Sequence, residues 1–302
     1  MASYGIPYMG SKDGIAYKIA PLFPKADNFY DLFGGGFAMS HFMVYHHANK
    51  YKRFFYNELK SDVVQLISDA IAGRYNYNVF KPKWISREEF MLKKDQDAYI
   101  RCLWSFGNNQ KDYLFGKDSE LNKRSLHNAV VFNDFDTLVI KLLRINSFPA
   151  HLSIRGRRLL CRSLVVERKG ELQQLERLQQ LQQLEQLERL QRLQRLQQLE
   201  RLELSSLSYD RVQILPNSVV YCDPPYKGTA DYIASFDHDK FWDWVRIQAN
   251  PVFVSEYNAP KDIKVIMAVN RKDRLSTSRT NFVEKVFGNA AATESVKIGK
   301  VT

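Results

Sequence analysis

The residues best suited to chemistry lie together in Tyr221-Cys222-Asp223-Pro224-Pro225-Tyr226, where an apolar run ends in an acid, two prolines and an aromatic. Proline removes a ladder donor and restricts the residue before it, so a strand over residues 219–222 must stop at Asp223. An acid at the carboxyl end of a parallel strand stands where open α/β sheets bind their ligands. There the Asp223 carboxylate and the Pro224 carbonyl can each accept one N–H of an exocyclic ring amine. The nitrogen is then held toward tetrahedral geometry, with its lone pair aimed at an incoming electrophile. The same oxygens stabilise the positive charge that develops, and no covalent enzyme intermediate is needed. Tyr226 offers a ring on which a base swung out of a duplex can stack.

A second group of candidates lies upstream. Residues 28–42, NFYDLFGGGFAMSHF, read as a strand, a tight glycine turn and a helix. Three glycines in a row can serve as a plain turn or as a ligand loop, and the pattern is not G-x-G-x-x-G. Residues 51–67 repeat the strand and helix, with Asn57-Glu58 at the strand end, where a carboxylate can accept from both hydroxyls of a ribose. His41, His46 and His47 have no partner spacing for a metal and read as helix-face residues, so no metal is expected. Cys222 reads as a buried strand residue.

These elements imply a parallel sheet, and the rest of the chain has room for a second, smaller core. It has 302 residues, 45% of them hydrophobic. A formal net charge of +11 and a pI near 9.4 suit a nucleic-acid partner, although a generic basic enzyme has the same balance. The cysteines Cys102, Cys161 and Cys222 form no C-x-x-C pair, which argues against a disulfide framework or a structural zinc site. The N-terminus has no basic start followed by an apolar run, and no apolar stretch is long enough to span a bilayer. A cytoplasmic protein with no membrane association is expected.

Over residues 75–169 the alternation of strands and helices stops. Aromatics (Trp84, Trp104, Phe106, Tyr113, Phe115) mix with Lys111, Lys117, Lys123 and Arg124, as stacking and phosphate-binding groups do in nucleic-acid modules. Arg155, Arg157 and Arg158 open the densest basic patch, which reads equally as a solvated surface run or as phosphate contacts. Residues 172–202 then carry leucine at every third position among Gln, Glu and Arg. Each leucine falls roughly 60° behind the last on an α-helix, so no single seam forms and a heptad coiled coil is excluded. Composition favours a helix; a 3₁₀-helix or solenoid would align the leucines at some backbone cost. The mismatch of period suggests a dispensable spacer, with a buried core element as the competing reading. Residues 204–214 and 251–255 read as further strands.

The motifs together resemble the D-P-P-Y amino-methyltransferases, and specifically the Dam-like DNA adenine-N6 methyltransferases. Pro7-Tyr8-Met9-Gly10-Ser11-Lys12 is similar to that family's opening motif and Asp31-Leu32-Phe33-Gly34-Gly35-Gly36 to its Gly-rich loop, while Asn57-Glu58 falls where the family has its ribose acid. Ser208 stands before Tyr209 where the family has an acid before an aromatic, a departure at one cofactor contact. Residues 271–289 resemble the last conserved stretch loosely. The resemblance implies a Rossmann-like S-adenosylmethionine-dependent methyltransferase sheet interrupted by a mainly helical target-recognition domain. It also implies a catalytic set of Asp223, Pro224, Pro225 and Tyr226, with Tyr8, Lys12, Asp31, Phe33, Gly34, Gly36, Glu58, Ser208 and Tyr209 at the cofactor. The DNA contacts expected are Lys111, Arg155, Arg157 and Arg158. The chain then divides into catalytic segments 1–74 and 204–302, a recognition domain 75–169 and the leucine-rich insertion 170–203. Double-stranded DNA is the partner implied, together with a companion restriction endonuclease where the enzyme belongs to a restriction system. Two other readings stay open on sequence: methylation of RNA adenine, and a non-catalytic DNA-binding scaffold assembled through the leucine tract.

Overall fold

The aromatic and β-branched runs near the two ends of the chain build one sheet. The computed structural model describes residues 4–166, 181–197, 201–226, 236–272 and 281–298. By internal contacts the chain divides into two compact units. The first comprises Met1–Ile6, Gly10–Ser68 and Leu196–Thr302; the second comprises Pro7–Met9 and Asp69–Arg195.

The first unit holds strands β1 (Asn28–Asp31), β2 (Arg53–Asn57), β3 (Leu202–Ser205), β4 (Ser218–Cys222), β5 (Val252–Glu256), β6 (Lys264–Lys272) and β7 (Asn281–Gly288). They form a seven-stranded sheet in the order β3-β2-β1-β4-β5-β7-β6. The first five run parallel, whereas β7 is antiparallel to both β5 and β6. Every residue of β1, β4 and β5 is buried, as expected of central strands covered on both faces, which is why they read as continuous apolar runs. One side is filled by a cluster in which Phe241, Trp242 and Val245 of the helix His238–Ile247 pack with Tyr30, Val220, Val252 and Val254.

The strand expected over residues 204–214 is shorter than read. β3 ends at Ser205, and Tyr209–Arg211 forms a 3₁₀ turn. The cause lies in side-chain bonds: Asn57 Oδ1 accepts from the Leu207 amide at 2.9 Å and from Ser205 Oγ at 2.9 Å, and Ser208 Oγ donates to Asp210. Side-chain bonds of this kind draw a chain out of a ladder.

The second unit is helical around a core of Leu126, Val130, Val139, Leu143, Phe148, Cys161 and Val165, to which Leu181 and Leu184 belong. The leucine tract is described from residue 181 onward; its earlier part lies outside the described residues. Gln182–Leu193 is an α-helix whose Leu184, Leu187, Leu190 and Leu193 are all 0% exposed. The spacer reading therefore gives way to the core reading for this segment. At about 100° per residue these four leucines sweep across one half of the helix and are buried there, whereas the opposite half is half-buried around the exposed Arg192. Among the described residues no helix is long and apolar enough to cross a membrane.

Candidate active site

In the first unit the carboxyl ends of β1, β2 and β4 lie side by side. Asp31 of β1 is level with Tyr56 of β2 and Tyr221 of β4, so Glu58 and Asp223 each stand two residues further along, on the same edge. The sequence reverses direction across the sheet between β1 and β4, the switch point at which open α/β sheets form their ligand crevice.

Asp223 follows β4 directly. Its Oδ2 accepts from Lys12 Nζ at 2.6 Å, and Lys12 also donates to the Gly10 carbonyl at 3.1 Å. Lys12 sits on a short turn, Lys12–Gly14, that is capped by Ser11, and its side chain is 5% exposed. Its ammonium lies 3.3 Å from Glu284 Oε1 and 5.0 Å from the centre of the Tyr226 ring. Tyr226 in turn donates its hydroxyl to Glu284 Oε1 at 2.9 Å. Asp223 Oδ1 is buried and accepts no hydrogen bond from the described residues. Burial pushes the Asp223 carboxyl up to about 6, with Lys12 opposing the shift and Glu284 adding to it.

On β1, Asp31 Oδ2 accepts from the Ser40 amide at 3.2 Å and its hydroxyl at 2.7 Å, at the start of the helix Ala38–His46. Its Oδ1 is buried without a partner among the described residues, and burial pushes this carboxyl to about 7. The loop that follows passes close to β2. A Cβ on Gly34 would lie 2.1 Å from the Tyr56 ring, so only glycine fits. Glu58 secures the loop, Oε2 accepting from the Gly35 amide at 2.9 Å, and burial raises its carboxyl as well. Asn57 ties the three strand ends together by donating to the Leu32 carbonyl at 3.0 Å and the Leu207 carbonyl at 2.9 Å. Phe33 stacks on Tyr209 with ring centres 5.4 Å apart, and Phe236 and Phe241 meet Phe33 edge-on.

Of the residues read from sequence, Lys12, Asp31, Phe33, Gly34, Gly36, Glu58, Ser208, Tyr209, Asp223, Pro224, Pro225 and Tyr226 thus fall in the first unit, at or beside this edge. Tyr8 groups by its contacts with the second unit, as do Lys111, Arg155, Arg157 and Arg158. Arg158 differs from its neighbours. Its Nη1 donates to Glu185 at 2.7 Å and its Nε to Glu188 at 3.0 Å, and its side chain is 11% exposed, against 70% for Arg155. Its guanidinium is held within the second unit by ion pairs to the leucine helix. The aromatics of this region also prove to be mostly core: Trp104, Tyr113 and Phe115 are buried, Trp84 packs against Trp104, Phe115 and His127, and Tyr113 against Trp104 and Phe115, while Phe106 is exposed. Lys123 is buried over the Phe115 ring, and that burial lowers its ammonium to about 8.

Sequence reasoning missed Glu284. The signal was present, because alternation along β7 puts this acid in phase with the buried Val286. β7 runs opposite to β5, so its beginning lies at the carboxyl edge. A reading that collected strand ends passed over it.

A mainly parallel sheet thus carries Asp-Pro-Pro-Tyr at the end of the strand at its switch point, consistent with a methyltransferase fold. The chain belongs to the family of D12 class N6 adenine-specific DNA methyltransferases, whose profile matches residues 8–292. Its reaction is the methylation of adenine N6 in DNA, and the methyl donor the family implies is S-adenosylmethionine. No curated protein matches the chain.

Proposed function

We propose that Asp223 Oδ1 and the Pro224 carbonyl receive the two N6 hydrogens of the target adenine. The observation that carries this reading is the buried Oδ1 without a partner, beside an Oδ2 already held by Lys12. A buried acceptor left open is costly unless a ligand fills it. Lys12 opposes the effect of burial and favours the ionised Asp223 that accepts hydrogen bonds. Holding the amine pyramidal and stabilising its growing positive charge is the catalytic contribution of these oxygens. The Pro225 ring makes the turn stiff, and Tyr226 supplies a stacking surface for the extruded base.

S-adenosylmethionine, when bound, supplies a methyl group on a positively charged sulfur. The residues of the edge fit such a donor. Asp31 offers a buried, unpartnered oxygen, Glu58 retains acceptor capacity for ribose hydroxyls beside the Gly35 amide, and Phe33 with Tyr209 presents an aromatic wall for a purine. Lys12, Gly34, Gly36 and Ser208 complete the set on the first unit, with Tyr8 proposed from the opening motif alone.

The second unit is proposed to read double-stranded DNA, through exposed Lys111 and Arg155 together with Arg157, whereas Arg158 serves the fold. Service within a restriction system, alongside an endonuclease, remains a proposal from the family resemblance. The reading is tested by methyl transfer to mixed-sequence DNA. Asp223→Ala should reduce the rate by about 10²-fold or more while donor binding, followed by calorimetry, is retained. Transfer at the wild-type rate would remove Asp223 from the mechanism.

A further inference from the structure

We propose that Glu284 is a positioning residue of the methyl-transfer site: it anchors the Lys12 ammonium and the Tyr226 hydroxyl, so that Lys12 engages one oxygen of Asp223 and leaves the other for the adenine amine. This inference rests on the assignment of Asp223 as the amine's acceptor. Glu284 Oε1 serves both partners at once, 3.3 Å from Lys12 Nζ and 2.9 Å from the Tyr226 hydroxyl. The Lys12 ammonium in turn lies 2.6 Å from Asp223 Oδ2.

A buried lysine facing one carboxylate is free to settle between its two oxygens. A second carboxylate on the far side draws it toward a single one. The observed arrangement has that asymmetry, with Oδ2 engaged and Oδ1 open. Strand packing gives no reason for the acid. Glu284 is 3% exposed on a strand where Val286, in the same phase, is 0% exposed, and an apolar side chain would fill the position without the cost of burying a charge. Its place at the start of an antiparallel strand is what lets it reach the edge formed by the ends of the parallel ones. The carboxylate also tethers Tyr226 by its hydroxyl, while the Tyr257 ring meets the Tyr226 ring edge-on with centres 4.7 Å apart.

The charge of Glu284 acts on Asp223 in a direction that can be measured. Burial raises the Asp223 carboxyl first, and Glu284 raises it further; Lys12 and the Tyr226 hydroxyl lower it. Asp31, Tyr221 and Cys222 also face this group, and none of them changes in the variants proposed.

The experiment is the pH dependence of methyl transfer to DNA by the full chain, with folding checked by thermal melting. Glu284→Gln should lower kcat by about tenfold or more, with the KM for DNA changed by less than about threefold. The acid limb of its kcat/KM profile should move to lower pH, because a charge that raises the Asp223 pKa has gone. Glu284→Asp, which keeps the charge, should leave that limb near its wild-type position. Tyr226→Phe removes a group that lowers the Asp223 pKa and should move the limb to higher pH; this variant keeps the test decisive if Glu284→Gln does not fold. A folded Glu284→Gln enzyme with wild-type kcat, or with reduced kcat and an unmoved limb, overturns the proposal, as does a Tyr226→Phe profile identical to wild type. Asp223→Ala serves as the control. If it is inactive while Glu284→Gln behaves as wild type, the Glu284 proposal alone fails; if it is active, the assignment of Asp223 fails first.

Discussion

The carboxyl edge of the sheet and the leucine helix of the second unit both bury charged groups, to different ends. At the edge, Asp31 and Asp223 each keep one carboxylate oxygen engaged and one without a partner among the described residues, and their pKa values rise to about 7 and about 6. On the helix side, Arg158 donates from Nε, Nη1 and Nη2 to Glu185 and Glu188. Burial of a charge therefore does not mark a functional group in itself. What separates Arg158 from the two aspartates is that its guanidinium nitrogens are used up inside the chain, whereas Asp31 Oδ1 and Asp223 Oδ1 share with the amide oxygens of Gln183 and Gln186 on the leucine helix the lack of a partner among the described residues.

The largest effect that sharpens this comparison concerns the helix as core. Leu184→Ala should cost about 2–5 kcal/mol of stability, as truncation of a fully buried leucine does. Denaturant unfolding measures it, and a loss under about 1 kcal/mol would return the tract to the spacer reading. Next comes Arg158. Its replacement by Ala leaves Glu188 with only the longer contact to Arg155, 3.8 Å away, and should destabilise by roughly 1–3 kcal/mol, the partial exposure of Glu185 keeping it below the cost of breaking a fully buried pair. The slope of DNA affinity against salt should stay unchanged in that variant. In Arg155→Ala/Arg157→Ala the outcome is reversed: little change in melting, and a salt slope reduced by about 1 to 2. A reduced slope for Arg158→Ala would break the distinction drawn between these arginines.

The smallest effect tests the unpartnered acid on β1. Asp31 has its folded-state pKa raised from 3.8 to about 7, so the folded chain binds the extra proton across that window. Wild-type stability then declines as pH rises from about 4 toward 7, because the folded state binds more protons there than the unfolded state does. Asp31→Asn cannot lose a proton. Its melting temperature relative to wild type should increase between pH 5 and pH 8, and a constant difference would show that Asp31 is not held up by burial.

The site was legible where chemistry is local in sequence. Asp223 with its prolines, the glycine loop after Asp31 and the acid after β2 are each a strand end followed by a turn, and a parallel sheet brings such ends to one edge. Alternation along the strand marks Glu284 as a buried acid, but only the antiparallel entry of β7 carries it to that edge. Leu207 and Ser208 read as strand residues, but the bond of the Leu207 amide to Asn57 and that of the Ser208 hydroxyl to Asp210 hold them outside the ladder that ends at Ser205. Trp104, Tyr113 and Phe115 have the composition of a nucleic-acid surface, yet they pack into the second unit.

By itself the sequence determined the parallel α/β class, the order of the motifs, the strand end at Asp-Pro-Pro-Tyr and the helix over the later leucines. Periodicity, proline and glycine act through the nearest few residues, and those constraints are written in the chain. Tertiary structure decided which oxygen of Asp223 Lys12 engages, that Glu284 joins them, that Arg158 is bound to its own helix partners, and that leucines spread across half of a helix are all covered. Each of these depends on contacts between residues far apart in the chain, as for Arg158 with Glu185, 27 positions away, and Lys12 with Asp223, 211 positions away. No local pattern encodes which of several chemically equivalent partners the fold will bring within reach.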